Sequence, residues 1–222
     1  MSRILIHCWL LWPLSAVAEH TILPNWHHFF HAPQLMAIEQ QYGHQGRARL
    51  ATLEQWLAQQ LAQDLTVMER LEQVNYFFNQ YRFEDDQLHW QQPDYWASPI
   101  EFVASGGGDC EDFTIAKYFT LRLLGIEAAK LRLMYVTAIE LNQAHMVLLF
   151  LAEPTAMPLV LDNLTNAVLS GQKRTDLIPV YSFNALGVWR SRTFDQDTQL
   201  HHGGDGVTLW QTLIHRMRSA QG

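Results

Sequence analysis

The sequence predicts an α+β protein, with helices first and an antiparallel sheet afterwards. Between residues 50 and 78, apolar side chains recur every three or four positions, which is the spacing of one helix face. Beyond Gly125 the period changes to two, and Leu131, Leu133 and Tyr135 alternate with basic residues as on a strand. Helical and alternating segments that occupy separate parts of a chain are typical of α+β proteins.

Glycines, polar turn residues and short apolar runs predict the limits of the remaining helices and strands. A helical part is predicted at about 33–82, with a break at 64–66, and a polar, turn-rich loop follows at 84–99. The glycines of 105–108 precede a further amphipathic helix, which Gly125 ends. Strands are predicted at 131–135, 145–151, 158–162, 180–183 and 187–192.

Composition limits the classes of function. Of the 222 residues, 48% are hydrophobic, which is enough for one domain with a sizeable core. The formal net charge is −7, and the basic clusters at Arg47 with Arg49 and at Lys173 with Arg174 are small. Because nucleic-acid binding needs a basic surface, we expect no nucleic-acid partner.

The first 18 residues have the pattern of a signal peptide. Arg3 precedes a short apolar run at 4–14, and an Ala-Val-Ala sequence ending at Ala18 fits a cleavage site. The run is too short to span a bilayer, so we expect no membrane-spanning segment. We therefore expect export to a bacterial periplasm, with residues 19–222 as a single domain. A buried N-terminal helix is the alternative interpretation of the same run.

Cys110 is the candidate nucleophile. Cleavage would remove Cys8, and a lone thiol in an oxidising compartment favours a functional role. Cys110 begins a predicted helix, whose dipole and unpaired N–H groups stabilise a thiolate, and its own N–H is a natural oxyanion donor. His145 at a strand start is the candidate base, and Asp162 at a strand end is the candidate orienting carboxylate. An ordinary strand histidine and an ordinary turn aspartate are the alternatives.

Three carboxylates flank the thiol, at Asp109, Glu111 and Asp112. Their simplest role is to cap and charge the start of a helix. Negative charges beside a thiol nevertheless raise its pKa and oppose thiolate formation. A bound hard cation would offset this repulsion, and oxygen ligands at this spacing favour Ca²⁺ over zinc. The sequence leaves helix capping and calcium binding both open.

Longer motifs narrow the class of protein. Five segments resemble the bacterial transglutaminase-like cysteine proteinases, over roughly residues 90–189: GGDCEDF at 107–113, AKYF at 116–119, NQAHMV at 142–147, LDNL at 161–164 and PVYSFN at 179–184. The resemblance implies a papain-like, transglutaminase-type core within a catalytic part at about 90–192. It also implies a triad of Cys110, His145 and Asp162.

The same resemblance implies a calcium site and two macromolecular partners. The implied calcium ligands are the carboxylates of Asp109, Glu111 and Asp112. Backbone carbonyls of 142–144 are further candidates. The family cleaves a large surface adhesin near its N-terminus, around a di-alanine, and so releases it and promotes biofilm dispersal. An inner-membrane receptor that senses cyclic di-GMP sequesters the protease. These properties are expectations for this chain.

Two other functions use the same residues or the same fold. A protein transglutaminase forms the same acyl-enzyme but passes the acyl group to an amine instead of water. A catalytically idle periplasmic binding module would keep the fold and lack a member of the triad. No member is missing from the sequence.

Overall fold

Helices occupy the first half of the chain and its end. The structure is a computed structural model that describes residues 32–203 and 207–219, so the predicted signal peptide at 1–18 lies outside the described residues and stays a prediction. Within the described ranges the α-helices are α1 (Ala32–Ala62), α2 (Val67–Phe78), α3 (Asp86–His89), α4 (Pro99–Ser105), α5 (Cys110–Leu123) and α6 (Thr208–Ser219). Short 3₁₀ helices lie at Ala128–Lys130 and Gly171–Lys173.

The strands form one large sheet and one small pair. They are β1 (Arg82–Phe83), β2 (Gly107–Gly108), β3 (Leu131–Ala138), β4 (Gln143–Phe150), β5 (Leu159–Asp162), β6 (Thr165–Ser170), β7 (Leu177–Asn184), β8 (Gly187–Ser191) and β9 (Asp197–His202). The large sheet has the order β6-β5-β4-β3-β7-β8-β9, and every neighbouring pair is antiparallel. The α+β class predicted from the sequence is confirmed.

Alternation along the strands divides the core into two layers. Leu133, Leu148 and Leu161 join the cluster formed with the helices. Their neighbours Leu149 and Val160 form a smaller cluster on the opposite face. Because successive strand residues point to opposite faces, each strand serves both layers. The helices therefore cover one face of the sheet, with α5 almost wholly buried between them and the strands.

The helix boundaries follow local chemistry. The predicted break at 64–66 is present, and Thr66 there forms a capping box with Glu69 at the start of α2. Gly43 has a φ of 71° inside α1, where it produces a kink. The helical part therefore consists of α1 and α2 and ends at Phe78, four residues before the predicted limit.

Several elements lack a predictive signal in the sequence. The 84–99 loop contains the short α3, and α4 follows it with a capping box of Ser98 and Glu101. β6, β9 and α6 were likewise not predicted. Edge strands and short helices carry weak periodicity, so contacts with the rest of the fold decide them.

The glycine loop before α5 is a strand rather than a flexible linker. β2 pairs in parallel with β1, and the Glu84 N–H donates to the Gly108 carbonyl at 2.9 Å. A Cβ on Gly108 would lie 2.1 Å from Asp112 Oδ2, so only glycine fits this close approach. The loop thus fixes the start of α5 against the residues that precede it.

Among the residues that the structure describes, no helix combines the length and the apolar character that crossing a membrane requires.

Candidate active site

Cys110 is the first residue of α5. Asp109 caps the helix, and its Oδ1 accepts the Glu111 backbone N–H at 3.2 Å. The thiol lies at the edge of the core with 9% of the residue exposed. Its Sγ donates to Glu111 Oε2 at 2.8 Å and accepts the backbone N–H of Met146. The predicted position of Cys110 at a helix start is confirmed.

Packing of α5 on β4 brings the thiol to the predicted base. Thr114, one turn after Cys110, has its Oγ1 2.8 Å from the Cys110 carbonyl and 3.0 Å from the Met146 carbonyl. Both Thr114 and Met146 are buried. Because Met146 follows His145 directly, this contact joins the start of α5 to the strand residue next to the predicted base.

His145 and Asp162 form a buried pair. His145 Nε2 lies 2.8 Å from Asp162 Oδ1, and the two residues are 2% and 1% exposed. The Leu164 backbone N–H also donates to Oδ1, at 3.0 Å. The Asp162 carboxylate can only accept a hydrogen bond, so the bond keeps a proton on Nε2 of His145. Nδ1 is then the nitrogen that can take up a second proton.

Arg174 holds the other oxygen of Asp162. Its Nη2 donates to Asp162 Oδ2 at 2.6 Å, and the residue is 4% exposed. Arg174 also binds the carboxylate of Asp176, at 2.9 and 2.7 Å. The sequence offered only a small basic cluster here, because Arg174 reaches Asp162 through a turn that no local pattern predicts.

The charges around Asp162 keep it ionised. Burial alone raises the pKa of a carboxyl group, but the hydrogen bond and charge of His145, with Arg174, outweigh it and lower the pKa of Asp162 to about 2. The carboxylate is therefore available to orient the imidazole and to stabilise its protonated form across the neutral range.

A buried lysine lies behind this pair. Lys117 is two turns after Cys110 on α5 and is 1% exposed. Burial lowers its pKa from 10.5 to about 7, and the charge of Asp162 opposes part of this shift. Its ammonium also lies 5.8 Å from the centre of the Phe113 ring. In the sequence Lys117 belongs only to the AKYF motif at 116–119, and no local pattern indicates a role for it.

Three aspartates form an acidic cluster at the start of α5. Oxygen atoms of Asp86, Asp109 and Asp112 lie within 4.8 Å of one another. Asp112 is fully buried and accepts from the Ala97 N–H at 2.7 Å and from Trp90 Nε1 at 2.9 Å. Asp109 and Asp112 thus lie together as the sequence suggested.

The third member of the cluster differs from the predicted set. Asp86 comes from α3, 23 residues before Asp109, where the sequence predicts only a loop. Glu111 instead directs its carboxylate to the Cys110 thiol and to the hydroxyl of Tyr135. Asp109 and Asp112 are three residues apart and share one side of the helix start, whereas Glu111 lies between them in sequence and points to another side. Its assignment as a calcium ligand stays a prediction.

The cluster has the chemistry of a hard-cation site. Burial, with the charges of Glu111, Asp112 and Asp86, raises the pKa of Asp109 to about 10. Asp86 Oδ1 is buried and has no hydrogen-bond partner among the described residues. Carboxylate oxygens that converge, one of them unsatisfied, fit an ion such as Ca²⁺ and not the nitrogen and sulfur ligands of a structural zinc site.

The acids also act on the thiol. Burial, followed by the charges of Glu111 and Asp109, raises the pKa of Cys110 above its ordinary value. Burial and the surrounding carboxylates together therefore outweigh the stabilisation that the helix start gives to a thiolate. A divalent cation among these carboxylates would offset part of their negative charge and favour the thiolate.

A thiol at the start of a helix that packs on an antiparallel sheet, together with a buried histidine–aspartate pair on that sheet, places the protein among cysteine hydrolases with a papain-like core. Comparison with models of protein families agrees with this class and identifies a family within it. The chain belongs to the bacterial transglutaminase-like cysteine proteinases, whose family model matches residues 47–189. The resemblance inferred from the sequence motifs is confirmed.

Solved structures of LapG from Legionella pneumophila share the fold. The EGTA-treated form matches with a TM-score of 0.69 and 39% identity, covering 82% of this chain and 97% of that one. The calcium-bound form matches with a TM-score of 0.69 and 39% identity, covering 83% and 98%. A further LapG structure has a TM-score of 0.70 at 39% identity, covering 83% and 95%. Comparison with curated protein sequences gives no match.

Proposed function

We propose that this protein is a periplasmic, calcium-dependent cysteine endopeptidase that cleaves a large surface adhesin near its N-terminus. The observation that carries the catalytic part is the contact of the Cys110 thiol with the residue after His145, whose ring is held by Asp162. Membership of a cysteine proteinase family supports the same reaction.

The proposed chemistry is acyl transfer to water. Cys110 Sγ attacks the scissile carbonyl while His145 Nδ1 accepts the thiol proton, and the carbonyl oxygen becomes an oxyanion. The backbone N–H of Cys110 stabilises that oxyanion, because the first N–H groups of a helix have no acceptor within it. His145 then returns the proton to the leaving amine as the C–N bond breaks, which leaves a thioester.

Water completes the cycle at the same residues. His145 removes a proton from the attacking water, and the C–S bond of the thioester breaks to return the thiol. Asp162 holds the ring with Nδ1 directed away from itself and stabilises the imidazolium in both half-reactions.

Calcium would be held by Asp86, Asp109 and Asp112, with Glu111 close by. When bound, the ion supplies positive charge that offsets the carboxylates beside the thiol. The unsatisfied Oδ1 of Asp86 and the similarity to a protein solved in a calcium-bound form support this assignment.

The adhesin substrate, release of the adhesin in biofilm dispersal and control by a cyclic di-GMP-sensing inner-membrane receptor rest on the family resemblance. Export to the periplasm rests on the signal-peptide pattern at 1–18. If the receptor part is correct, the receptor's purified periplasmic domain inhibits cleavage at stoichiometric concentration. Undiminished cleavage in the presence of this domain would contradict control by the receptor but not the proposed protease activity.

The decisive experiment is incubation of the purified chain with N-terminal fragments of candidate adhesins, with calcium or with EGTA, followed by the masses of the products. We expect two fragments with calcium and a strong reduction with EGTA. Cys110→Ala should lose at least about 10³ in rate while keeping the melting temperature, as expected for loss of a nucleophile. Cleavage by that variant at the wild-type rate contradicts the proposal.

The same incubation, with added probes, also tests the two alternative functions, a protein transglutaminase and an idle binding module. A fluorescent amine added to the mixture would be incorporated without new fragments if the protein were a transglutaminase. A thiol-reactive probe that fails to label Cys110 in the presence of calcium would indicate an idle binding module.

A further inference from the structure

A groove opens beside the nucleophile on the helix-facing side of the sheet. Its volume is about 530 Å³, with a floor from β3, β7 and β8 and walls from β9 and the start of α6. Tyr135 lines it and joins it to the site: its hydroxyl lies 3.4 Å from Glu111 Oε1, and Glu111 Oε2 accepts the Cys110 thiol at 2.8 Å. Tyr135 and Glu111 therefore connect the near end of the groove to the Cys110 thiol.

Strand register makes the floor a straight row of side chains. Tyr135 on β3 pairs directly with Tyr181 on β7, and Tyr181 pairs with Arg190 on β8. Directly paired residues point to the same face, and the two tyrosine rings are 4.8 Å apart. Neighbouring strands are about 4.8 Å apart, so Arg190 lies about 10 Å beyond Tyr135, which is roughly three residues of extended chain.

The two ends of the row differ in charge. Acidic Glu111 lies at the nucleophile end, and Asp94 is near enough that its charge, after burial and Glu111, helps to raise the pKa of Tyr135. Arg190 lies at the far end, is exposed, and makes no side-chain hydrogen bond or ion pair among the described residues. A bound acidic side chain would therefore find its complement only at the far end.

Between the two ends the groove is apolar. Val180 and Leu200 line it and are 45% and 63% exposed. Exposed aliphatic side chains beside two aromatic rings provide a surface for apolar side chains of a partner. A polypeptide extended from the nucleophile would cover them.

We propose that this groove binds the substrate polypeptide on one side of the scissile bond, and that Arg190 selects an acidic side chain three to five residues from that bond. The proposal rests on the proposed endopeptidase function. The contact of Tyr135 with Glu111, which binds the Cys110 thiol, favours this occupant, because a chain that extends from the thiol on this side passes over Tyr135 and Tyr181.

Cleavage kinetics with a charge swap test the proposal. The substrate is an adhesin fragment that the wild-type protein cleaves in excess calcium, and kcat/KM is measured for Arg190→Glu and for Arg192→Glu. Both variants change the charge by the same amount, and Arg192 is exposed just beyond β8, outside the groove. We expect about a tenfold loss for Arg190→Glu, the effect of one lost charge pair in a partly desolvated site, and less than a twofold loss for Arg192→Glu.

A second arm changes the substrate. Replacing its acidic residue by Lys should reduce cleavage by the wild type about tenfold, and Arg190→Glu should cleave that substrate better than the wild type does. Such a rescue cannot come from misfolding of the variant. Equal effects of the two arginine variants would overturn the groove assignment. A cleaved substrate that has no acidic residue three to five positions from the scissile bond would also overturn it. Neither outcome contradicts cleavage that depends on Cys110. No cleavage by the wild type removes the proposed function and this inference together.

Discussion

His145 Nε2 lies 2.8 Å from Asp162 Oδ1 inside a region from which solvent is almost excluded, since the two residues are 2% and 1% exposed. Arg174 binds the opposite oxygen of the same carboxylate at 2.6 Å. A buried charge is tolerated when it is paired and hydrogen-bonded on every side. This arrangement makes the imidazole orientation depend on residues outside the catalytic motifs.

Asp162→Asn should lower kcat/KM by about 10²–10⁴, because a neutral amide neither fixes the Nε2–H form of His145 nor stabilises its protonated state. It should also lower the free energy of unfolding by about 3 kcal/mol, because it leaves Arg174 buried with one carboxylate fewer. Peptide cleavage rates and urea unfolding measure the two effects. Asp176→Asn is the control, since Asp176 binds Arg174 but is 38% exposed and does not contact the histidine in the described structure. Equal loss of activity in both variants would contradict the orienting role.

Asp86→Asn should weaken calcium binding at least about tenfold, because it removes one carboxylate charge and offers a weaker oxygen ligand. The measurement is the rise in melting temperature as CaCl₂ is added after EGTA treatment, which follows from preferential binding to the folded state. Asp85→Asn makes the same charge change one residue away, outside the acidic cluster, and should leave the calcium response unchanged. A normal response in Asp86→Asn would place the site elsewhere.

Lys117→Met should stabilise the protein at neutral and acidic pH. The folded state lowers the pKa of Lys117 from 10.5 to about 7, so the unfolded chain binds more protons between these values and the wild type gains stability as the pH rises from about 7 toward 10.5. Below pH 7 the buried charge costs the wild type about 5 kcal/mol that Met avoids. The free energy of unfolding, measured for both proteins from pH 6 to pH 10, should therefore converge as the pH rises. A constant difference across this range would show that the charge of Lys117 is not the cause.

Gly108→Ala should unfold the site or displace Asp112. The added Cβ would lie 2.1 Å from Asp112 Oδ2 and 2.9 Å from its Cβ, and the second of these atoms cannot rotate away. We expect a loss of about 2–4 kcal/mol in stability, typical of overpacking, together with a weaker thermal response to calcium. Gly125→Ala is the matched control: its φ of +91° makes alanine strained, but open space surrounds it, so it should cost only about 1 kcal/mol. A loss for Gly108→Ala no larger than that for Gly125→Ala would contradict the close contact with Asp112 as the reason for glycine at this position.

The local sequence determined the parts of this protein that depend on neighbours along the chain. Helical and alternating patterns predicted α+β architecture, the glycines before Cys110 predicted a break and a helix start, and the ends of two apolar runs predicted His145 and Asp162. Each of these signals is a periodicity or a boundary, which a few adjacent residues suffice to encode.

The tertiary structure alone decided which distant residues share the site. Asp86 joins Asp109 and Asp112 because the pairing of β1 with β2 carries α3 to the start of α5, and Arg174 reaches Asp162 through a turn between strands. Nothing in the local pattern around Asp86 or Arg174 distinguishes them from solvated surface charges. Their roles come from burial and from partners far along the chain, and only the packed fold supplies both.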